Sequence, residues 1–478
     1  MNALTATTLA LGLVVGSACA APVEKTIEIV GPPIKLRYGE VHNTWQPPID
    51  FPDEVKQKFA NKTMPVLDWS VDIVYKNGSQ VPLYDTYNHH YILSAGTRPA
   101  MQRFHDMMQD APFGVRAPNG TVGWVKGAVP PTQQDDGAET PNNRKLLMTP
   151  AIHHELLEQA SRDVGQAPHV AQIGSASGAE ERHTSHRLPR GYAYMIDSPE
   201  ALTPLFHFIN TKDPSRAAIN SAGDVPVSKL LQCPCLNQVL NATDGTVDGW
   251  EPYPPFGTCS PDFYAEGNPS CDITTYQGGW RCCEDGKFLI DLDGVDVDDL
   301  PYDEVHGKFM FTYLDDDAHE LGLKQLQFIT QDASGYLDVT RGNIEYDVPA
   351  CDLSNTRPED CIYESSTVNF ISGEIDADDD SLMSIPYTVG HLHVGGIDVT
   401  LYDDDTGEVI CRSEAIYGNG TEAGNENGYL IGMTPCSFLT PPVFPKNKKV
   451  RTVARYNNTE PHTGVMGLML STMYEVPA

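Results

Sequence analysis

Positive charge is scarce in this sequence. Its 478 residues contain 32 Lys and Arg against 65 Asp and Glu, which gives a formal net charge of −33 and a pI near 4.6. Such an acidic surface repels nucleic acid phosphates and anionic lipid headgroups. The composition therefore argues against nucleic acid and membrane surfaces as partners and agrees with solubility in an extracellular medium.

Long apolar runs are also missing beyond the first twenty residues. No later segment reaches the roughly 18 apolar residues that a membrane-spanning helix needs. At the start of the chain, a short apolar run over residues 9–15 precedes the small-residue stretch Ala18-Cys19-Ala20. This arrangement is typical of a cleavable secretory signal. We therefore predict a signal peptide over residues 1–20 and a secreted, extracellular mature protein.

The cysteines fit an oxidising compartment. Eleven cysteines minus Cys19 leave ten, an even number suited to five disulfide bridges. Six of them should pair mainly among themselves, because short loops make local closure cheap. We expect Cys351 to pair with Cys361, which leaves Cys411 and Cys436 for each other. The locally paired six are Cys233, Cys235, Cys259, Cys271, Cys282 and Cys283.

Asn-x-Ser/Thr sequons add to the extracellular pattern. In a secreted chain, such sequons predict exposed loops that carry N-linked glycans. The six sequons begin at Asn61, Asn77, Asn119, Asn241, Asn419 and Asn457.

Helical periodicity is rare, and apolar positions mostly alternate with polar ones. Trp69, Val71 and Ile73 alternate with less apolar neighbours, as in a half-buried strand. The same alternation recurs at Phe309, Phe311 and Tyr313 and at Ile397, Val399 and Leu401, the last before an Asp-rich turn typical of a hairpin. Only Pro99–Asp110 and Ala151–Asp163 have helical patterns. We therefore predict a mostly β protein built as β-sandwiches of jelly-roll type.

The length predicts more than one domain, because the chain exceeds the size of a usual single core. We place an N-terminal β-sandwich domain at 21–225 and a C-terminal β-sandwich domain at 291–478. Between them, residues 226–290 form a cysteine-rich, disulfide-stapled insert.

Two histidine pairs are the first candidates for chemistry. Alternate residues of a strand share a face, so His391 and His393 can bind one ion from a single segment. Imidazole suits copper, zinc, iron and nickel. Adjacent residues point to opposite faces, so a shared ion at His89 and His90 needs a β-bulge or unequal use of ring nitrogens. For each pair, two histidines without a metal are an equal alternative.

A third candidate combines an imidazole with a thioether. His462 and Met466 would share one face of a strand, and a soft sulfur ligand favours copper(I) over zinc. A Met in an apolar run is more often core packing than a ligand. His462 is therefore kept as the alternative ligand to Met466.

Taken in order, these motifs resemble the stress up-regulated Nod (SURNod-type) family of secreted proteins. The stretch from about 111 to 190 departs from the family pattern, and the resemblance assigns nothing functional there. The matching stretches are Val81–Tyr87 with His89-His90, His207–Lys212, Cys233-Pro234-Cys235, Gly278–Cys283, His391–Gly396, Leu401–Asp403, Tyr417–Gly420, Glu422–Glu426, Gly432-Met433 and His462–Gly467.

A more distant similarity is to the ascorbate-dependent type II copper monooxygenases, the peptidylglycine and dopamine hydroxylases. The shared pattern is the order His-His, single His, His-x-His and Met. By this resemblance His89, His90 and His207 would hold an electron-storing copper, and His391, His393 and Met466 would hold the copper that binds oxygen and substrate. The chain departs from these enzymes at Tyr91, which replaces the Met that follows their His pair.

The function we expect is that of a secreted dicopper protein, a monooxygenase-like oxidoreductase. Its partners would be a small-molecule or peptide substrate and an external reductant such as ascorbate. Two alternatives stay open: a non-catalytic copper-binding stress-response protein, and a structural or adhesive extracellular glycoprotein. The sequence identifies no catalytic residue beyond the metal ligands.

Overall fold

The computed structural model describes residues 22–110, 150–164, 171–213, 227–228, 230, 239–241, 247–248, 290–291, 299–333, 346–372 and 381–477. Within these ranges the chain is mostly β, as the alternating pattern predicted. The predicted signal peptide and most of the cysteine-rich insert lie outside the described residues. No helix in the described part of the chain is long and apolar enough to cross a membrane.

The first half of the chain supplies most strands of two sheets. The first sheet has the order Glu24–Val30, Asp303–Leu314, Thr63–Val74, Tyr192–Asp197 and Lys324–Gln325, with Ile34–Leu36 also paired to Asp303–Leu314. The second sheet has the order Val41–Trp45, Ala201–Asn210, Thr86–Gly96 and Ala171–Ser177, with Ile49–Asp50 also paired to Ala201–Asn210.

The last third of the chain supplies two more sheets. The third sheet has the order Gln327–Asp332, Gly467–Glu475, Leu382–Leu392 and Cys436–Ser437, with Val443–Pro445 also paired to Leu382–Leu392. The fourth sheet has the order Ile362–Phe370, Lys449–Asn457, Gly396–Asp403, Val409–Tyr417 and Leu430–Met433. The predicted hairpin after Leu401 is confirmed as the pair Gly396–Asp403 and Val409–Tyr417.

Smaller elements complete the described structure. The two predicted helices are confirmed as Arg98–Asp110 and Pro150–Asp163, and they pack together with Trp45 and Leu205 of the second sheet. The other short elements are the helix Asp53–Lys58, the 3₁₀ turns Ala179–His183 and Pro358–Asp360, the three-stranded sheet of Val239–Asn241, Val247–Asp248 and Ile290–Asp291, and the two-stranded sheet of Tyr346–Val348 and His462–Val465.

The prediction of two β-sandwich domains is wrong, because the four larger sheets are arranged as a four-bladed β-propeller. One apolar core cluster contains residues of all four sheets, among them Trp69, Phe206, Val389 and Leu401. Strand alternation reports which face of a strand is buried, but it does not report which sheet covers that face. The sequence therefore predicted the strands without their arrangement.

The strand Asp303–Leu314 joins distant parts of the chain. It pairs on one side with Glu24–Val30 and on the other with Thr63–Val74. Gly307 of this strand faces Phe206 of the second sheet so closely that an added Cβ would lie 2.2 Å from the ring. Strands from both sides of residue 291 therefore belong to the same sheet.

Both disulfides expected in the last third of the chain are confirmed. Cys351 is bonded to Cys361, and Cys411 is bonded to Cys436. The other six cysteines of the predicted framework lie outside the described residues. The sequon residues Asn61, Asn77, Asn419 and Asn457 are exposed, Asn119 lies outside the described residues, and Asn241 lies in Val239–Asn241, where no side chain is described.

Candidate metal centre

A β-bulge brings the two adjacent histidines together. The strand Thr86–Gly96 pairs with Ala201–Asn210, and the register shifts between Asn88 and His90, so His89 is the extra residue. His90 lies directly opposite His207 in this register. The bulge is the feature that the sequence required if His89 and His90 were to share an ion, because a regular strand would turn them to opposite faces.

His89, His90 and His207 form a group whose geometry fits a metal ion. One ligand atom from each lies within 4.8 Å of the others, and each side chain is at most 1% exposed. The Nδ1 atom of His90 is 3.2 Å from Nδ1 of His89 and 3.4 Å from Nδ1 of His207. Two nitrogens on a tetrahedral ion bound at about 2.0–2.1 Å lie about 3.3 Å apart. Both measured separations match that spacing.

The protonation state of the three imidazoles suits binding of a cation. Burial, followed by the effect of neighbouring imidazoles, lowers the pKa of His89 and His207 well below the ordinary value. Burial and then His391 lower the pKa of His90 to about 3. The rings are therefore neutral near pH 7, and the neutral imidazole is the form that donates a lone pair to a metal.

The predicted second pair lies against this group. His391 is near the end of the strand Leu382–Leu392, and His393 follows the strand directly. The ring centroid of His393 is 4.2 Å from that of His89 and 4.9 Å from that of His391. We call His89, His90, His207, His391 and His393 the five-histidine cluster, and none of its members is more than 4% exposed.

The ring nitrogens of His391 and His393 have different surroundings. Nδ1 of His391 is 2.5 Å from Oε1 of Glu180, and Nδ1 of His393 is 3.5 Å from the hydroxyl of Tyr87. Within the described part of the chain, Nε2 of both rings is buried without a hydrogen-bond partner. A buried nitrogen of this kind is costly unless something satisfies it. Each of these two rings therefore has one nitrogen, Nε2, that no described residue satisfies.

Met466 and His462 have different surroundings from the cluster. Met466 is fully buried in the apolar core, and its carbonyl oxygen accepts a hydrogen bond from the hydroxyl of Tyr456. Nε2 of His462 donates to the carbonyl oxygen of Asn457 over 2.9 Å, so that nitrogen is not available to an ion. Met466 as a ligand stays a prediction.

The sequence reasoning missed a polar segment that touches the cluster. Glu180 and Glu181 lie in the 3₁₀ turn Ala179–His183, and each is 2% exposed. Oε2 of Glu181 is 2.8 Å from Nε2 of His186, whose ring stacks on Trp69 with centroids 4.5 Å apart. Burial opposes the charge of His186, but the combined effect of Glu181, Asp68 and Glu180 outweighs burial, and the pKa of His186 is raised. The signal was two adjacent acids followed by histidines, in a region where the resemblance assigned nothing.

Comparison with known proteins supports part of the resemblance. No curated protein matches the chain. The similarity to the copper hydroxylases stays a prediction. The family described as Stress up-regulated Nod 19 matches residues 23–116 and 256–475, ranges that contain four members of the five-histidine cluster but neither His207 nor Glu180. Because these two ranges cover about two thirds of the sequence, the chain belongs to the stress up-regulated Nod 19 family.

Proposed function

We propose that this protein is a secreted copper-binding protein that holds one ion at His89, His90 and His207. The carrying observation is the pair of Nδ1 separations centred on His90, 3.2 and 3.4 Å, in a group of buried, neutral imidazoles. Imidazole ligands suit copper, and copper(II) stands above the other first-row divalent ions in affinity for such sites. Among the described residues, the group that could hold this ion consists of three histidines and includes no carboxylate or thiolate.

A second copper is proposed at His391 and His393. Their unpartnered Nε2 atoms and their contact with His89 support this part of the proposal. Met466 is its proposed third ligand, on the strength of the resemblance to the copper hydroxylases. When bound, copper supplies one-electron and dioxygen chemistry, while the protein binds the ion, orients the imidazoles and excludes water.

Two forms of the function are compatible with this site. In the first, the protein is a monooxygenase-like oxidoreductase that takes electrons from an external reductant such as ascorbate. In the second, it binds copper without turnover. The second form is favoured by the burial of all five histidines, because at most 4% exposure leaves little room for a substrate to reach the ions in this conformation.

Secretion is part of the proposal. Two disulfides and four exposed sequon asparagines support an oxidising, extracellular setting. Expression in a eukaryotic secretory host tests it: the protein should appear in the medium, and glycosidase treatment should lower its apparent mass.

Metal analysis of the full-length protein tests copper binding. We expect wild-type protein to keep copper through dialysis and His207→Ala to lose about one equivalent, because two imidazoles hold an ion less tightly than three. The matched control is His319→Ala, which removes an exposed histidine in a turn and should leave the copper content unchanged. Equal copper in both variants, or none in wild type, would contradict the proposal.

Oxygen uptake separates the two forms of the function. If the protein is a catalytic oxidoreductase, copper-loaded wild type mixed with ascorbate should consume dissolved oxygen faster than the His207→Ala variant. A protein that keeps its copper and consumes oxygen no faster than the variant is a binding protein.

A further inference from the structure

Glu180 reaches the cluster because its segment passes directly over the histidine bulge. The residue before the 3₁₀ turn is Gly178, and a Cβ there would lie 2.3 Å from the carbonyl oxygen of His89. The side-chain amide of Asn88 donates to the carbonyl of Gly178 over 3.1 Å. A larger residue than glycine would therefore lift the turn away from the bulge.

The Glu180 carboxylate is held from its own backbone and directed at one ring. Its Oε1 accepts the backbone N–H of Gly178 over 2.9 Å and lies 2.5 Å from Nδ1 of His391. Because a carboxylate oxygen accepts, Nδ1 of His391 carries the proton. The lone pair of the neutral ring is then on Nε2, the buried atom without a hydrogen-bond partner among the described residues.

We propose that Glu180 is a positioning residue that fixes His391 as an Nε2 metal ligand. This inference rests on the proposed function and adds to it a control of the second ion by a residue from the segment between the second and first sheets. A carboxylate that accepts from the far nitrogen of a ligating imidazole fixes the tautomer and ring orientation and raises the basicity of the ligand. Loss of such a partner typically costs about 10–100-fold in metal affinity.

The neighbouring residue offers a matched control. Glu181 lies in the same turn, is equally buried and also contacts a histidine, but that histidine is His186, which is not a member of the five-histidine cluster. A general effect of replacing a buried carboxyl group in this turn should therefore appear in both Glu181→Gln and Glu180→Gln. An effect through His391 should appear in Glu180→Gln alone.

Copper titration of full-length wild type, Glu180→Gln and Glu181→Gln tests the inference. Competition with a chromophoric copper(I) chelator measures each equivalent, and thermal melting checks that each variant is folded. We expect Glu180→Gln to weaken the second equivalent by about 10–100-fold and to leave the first unchanged, with Glu181→Gln resembling wild type in both. The electron paramagnetic resonance spectrum of the second copper(II) should also change only in Glu180→Gln.

Three results would overturn the inference. The first is equal affinity of the second equivalent in both variants. The second is a wild type that binds a single ion and keeps it in His391→Ala, which would remove the role of Glu180 but leave the proposed ion at His89, His90 and His207 unaffected. If Glu180→Gln does not fold, nitrogen NMR of histidine-labelled, metal-free wild type determines the tautomer of His391 instead. A proton on Nε2 of His391 is the third result that would overturn the inference. A wild type without copper would be a failure of the proposed function itself.

Discussion

At the scale of single residues, the structure of the five-histidine cluster depends on close contacts between its imidazole rings. The ring centroid of His89 lies 4.2 Å from that of His207 and 4.2 Å from that of His393. Such rings can be buried together only while they are neutral, because each added positive charge would be desolvated and placed beside the others. Acid and steric bulk are therefore the two perturbations to which the cluster should respond most strongly.

Acid should destabilise the metal-free protein. The pKa values of His89, His207 and His393 are lowered by burial and by neighbouring imidazoles, and that of His90 is lowered to about 3. Below pH 6.5 the unfolded chain therefore binds more protons than the folded one, and the free energy of unfolding falls as pH falls. Urea unfolding of metal-free protein at pH 7.5, 6.0 and 5.0 should give steadily lower midpoints.

The variant His90→Gln provides the comparison for this pH series. It removes one titrating ring and should reduce the dependence of the midpoint on pH. A wild-type midpoint that stays constant over the range would show that the rings do not titrate as the burial requires.

Steric bulk at Gly178 should disturb the cluster. Gly178→Ala places a methyl group 2.3 Å from the carbonyl oxygen of His89, a backbone atom that cannot swing aside. We expect a loss of about 1–3 kcal/mol in the free energy of unfolding, measured by urea titration. Gly31→Ala is the control, because its nearest neighbour is the flexible end of Ile49 at 3.2 Å, and it should cost clearly less. Similar losses in both variants would argue against the close approach at Gly178.

At the scale of elements, the disulfide Cys411–Cys436 connects two sheets. Cys411 lies in Val409–Tyr417 of the fourth sheet, and Cys436 pairs with Thr388 in the third sheet, on the strand that leads to His391. The disulfide therefore restrains the strand that carries His391, although neither cysteine belongs to the five-histidine cluster. This pairing could be expected from the sequence, because only Cys411 and Cys436 were left unassigned after the local pairs.

Removal of this bond should destabilise the fold. The double variant Cys411→Ser with Cys436→Ser opens a loop of 25 residues, and the loss of loop-closure restraint corresponds to about 3.5 kcal/mol. The double variant Cys351→Ser with Cys361→Ser opens a loop of only 10 residues and should lose less. Urea unfolding of both measures the order, and a reversed order would contradict this account.

The strands and ligand candidates were readable from sequence because they depend on local patterns. Alternation identified Thr63–Val74, Asp303–Leu314 and Gly396–Asp403, and the His-His and His-x-His spacings selected four members of the cluster. The contact between His89 and His393 could not be read this way, because it depends on how the second and third sheets meet. Glu180 was missed for the same reason, since its partner His391 is 211 residues away.

At the scale of the whole molecule, the error concerned the number of cores. Length alone predicted two separate cores, but one cluster of buried apolar residues runs through all four larger sheets. The cysteine-rich segment from 226 to 290 interrupts the sequence without dividing that core. The strands on either side of it, Ala201–Asn210 and Asp303–Leu314, meet where Phe206 stacks on Phe309 with ring centroids 5.6 Å apart.

The pairing of Glu24–Val30 with Asp303–Leu314 sets an order of events during synthesis. Glu28 and Lys308 are neighbours in the first sheet although 280 residues separate them. A nascent chain that has emerged only as far as His207 therefore lacks the strand that lies between Glu24–Val30 and Thr63–Val74, and it lacks the Phe309 ring that stacks on Phe206. Contacts of such long sequence separation form late. We therefore expect the packing around His207 to be complete only after residue 314 has been synthesised, about two thirds of the way along the 478-residue chain.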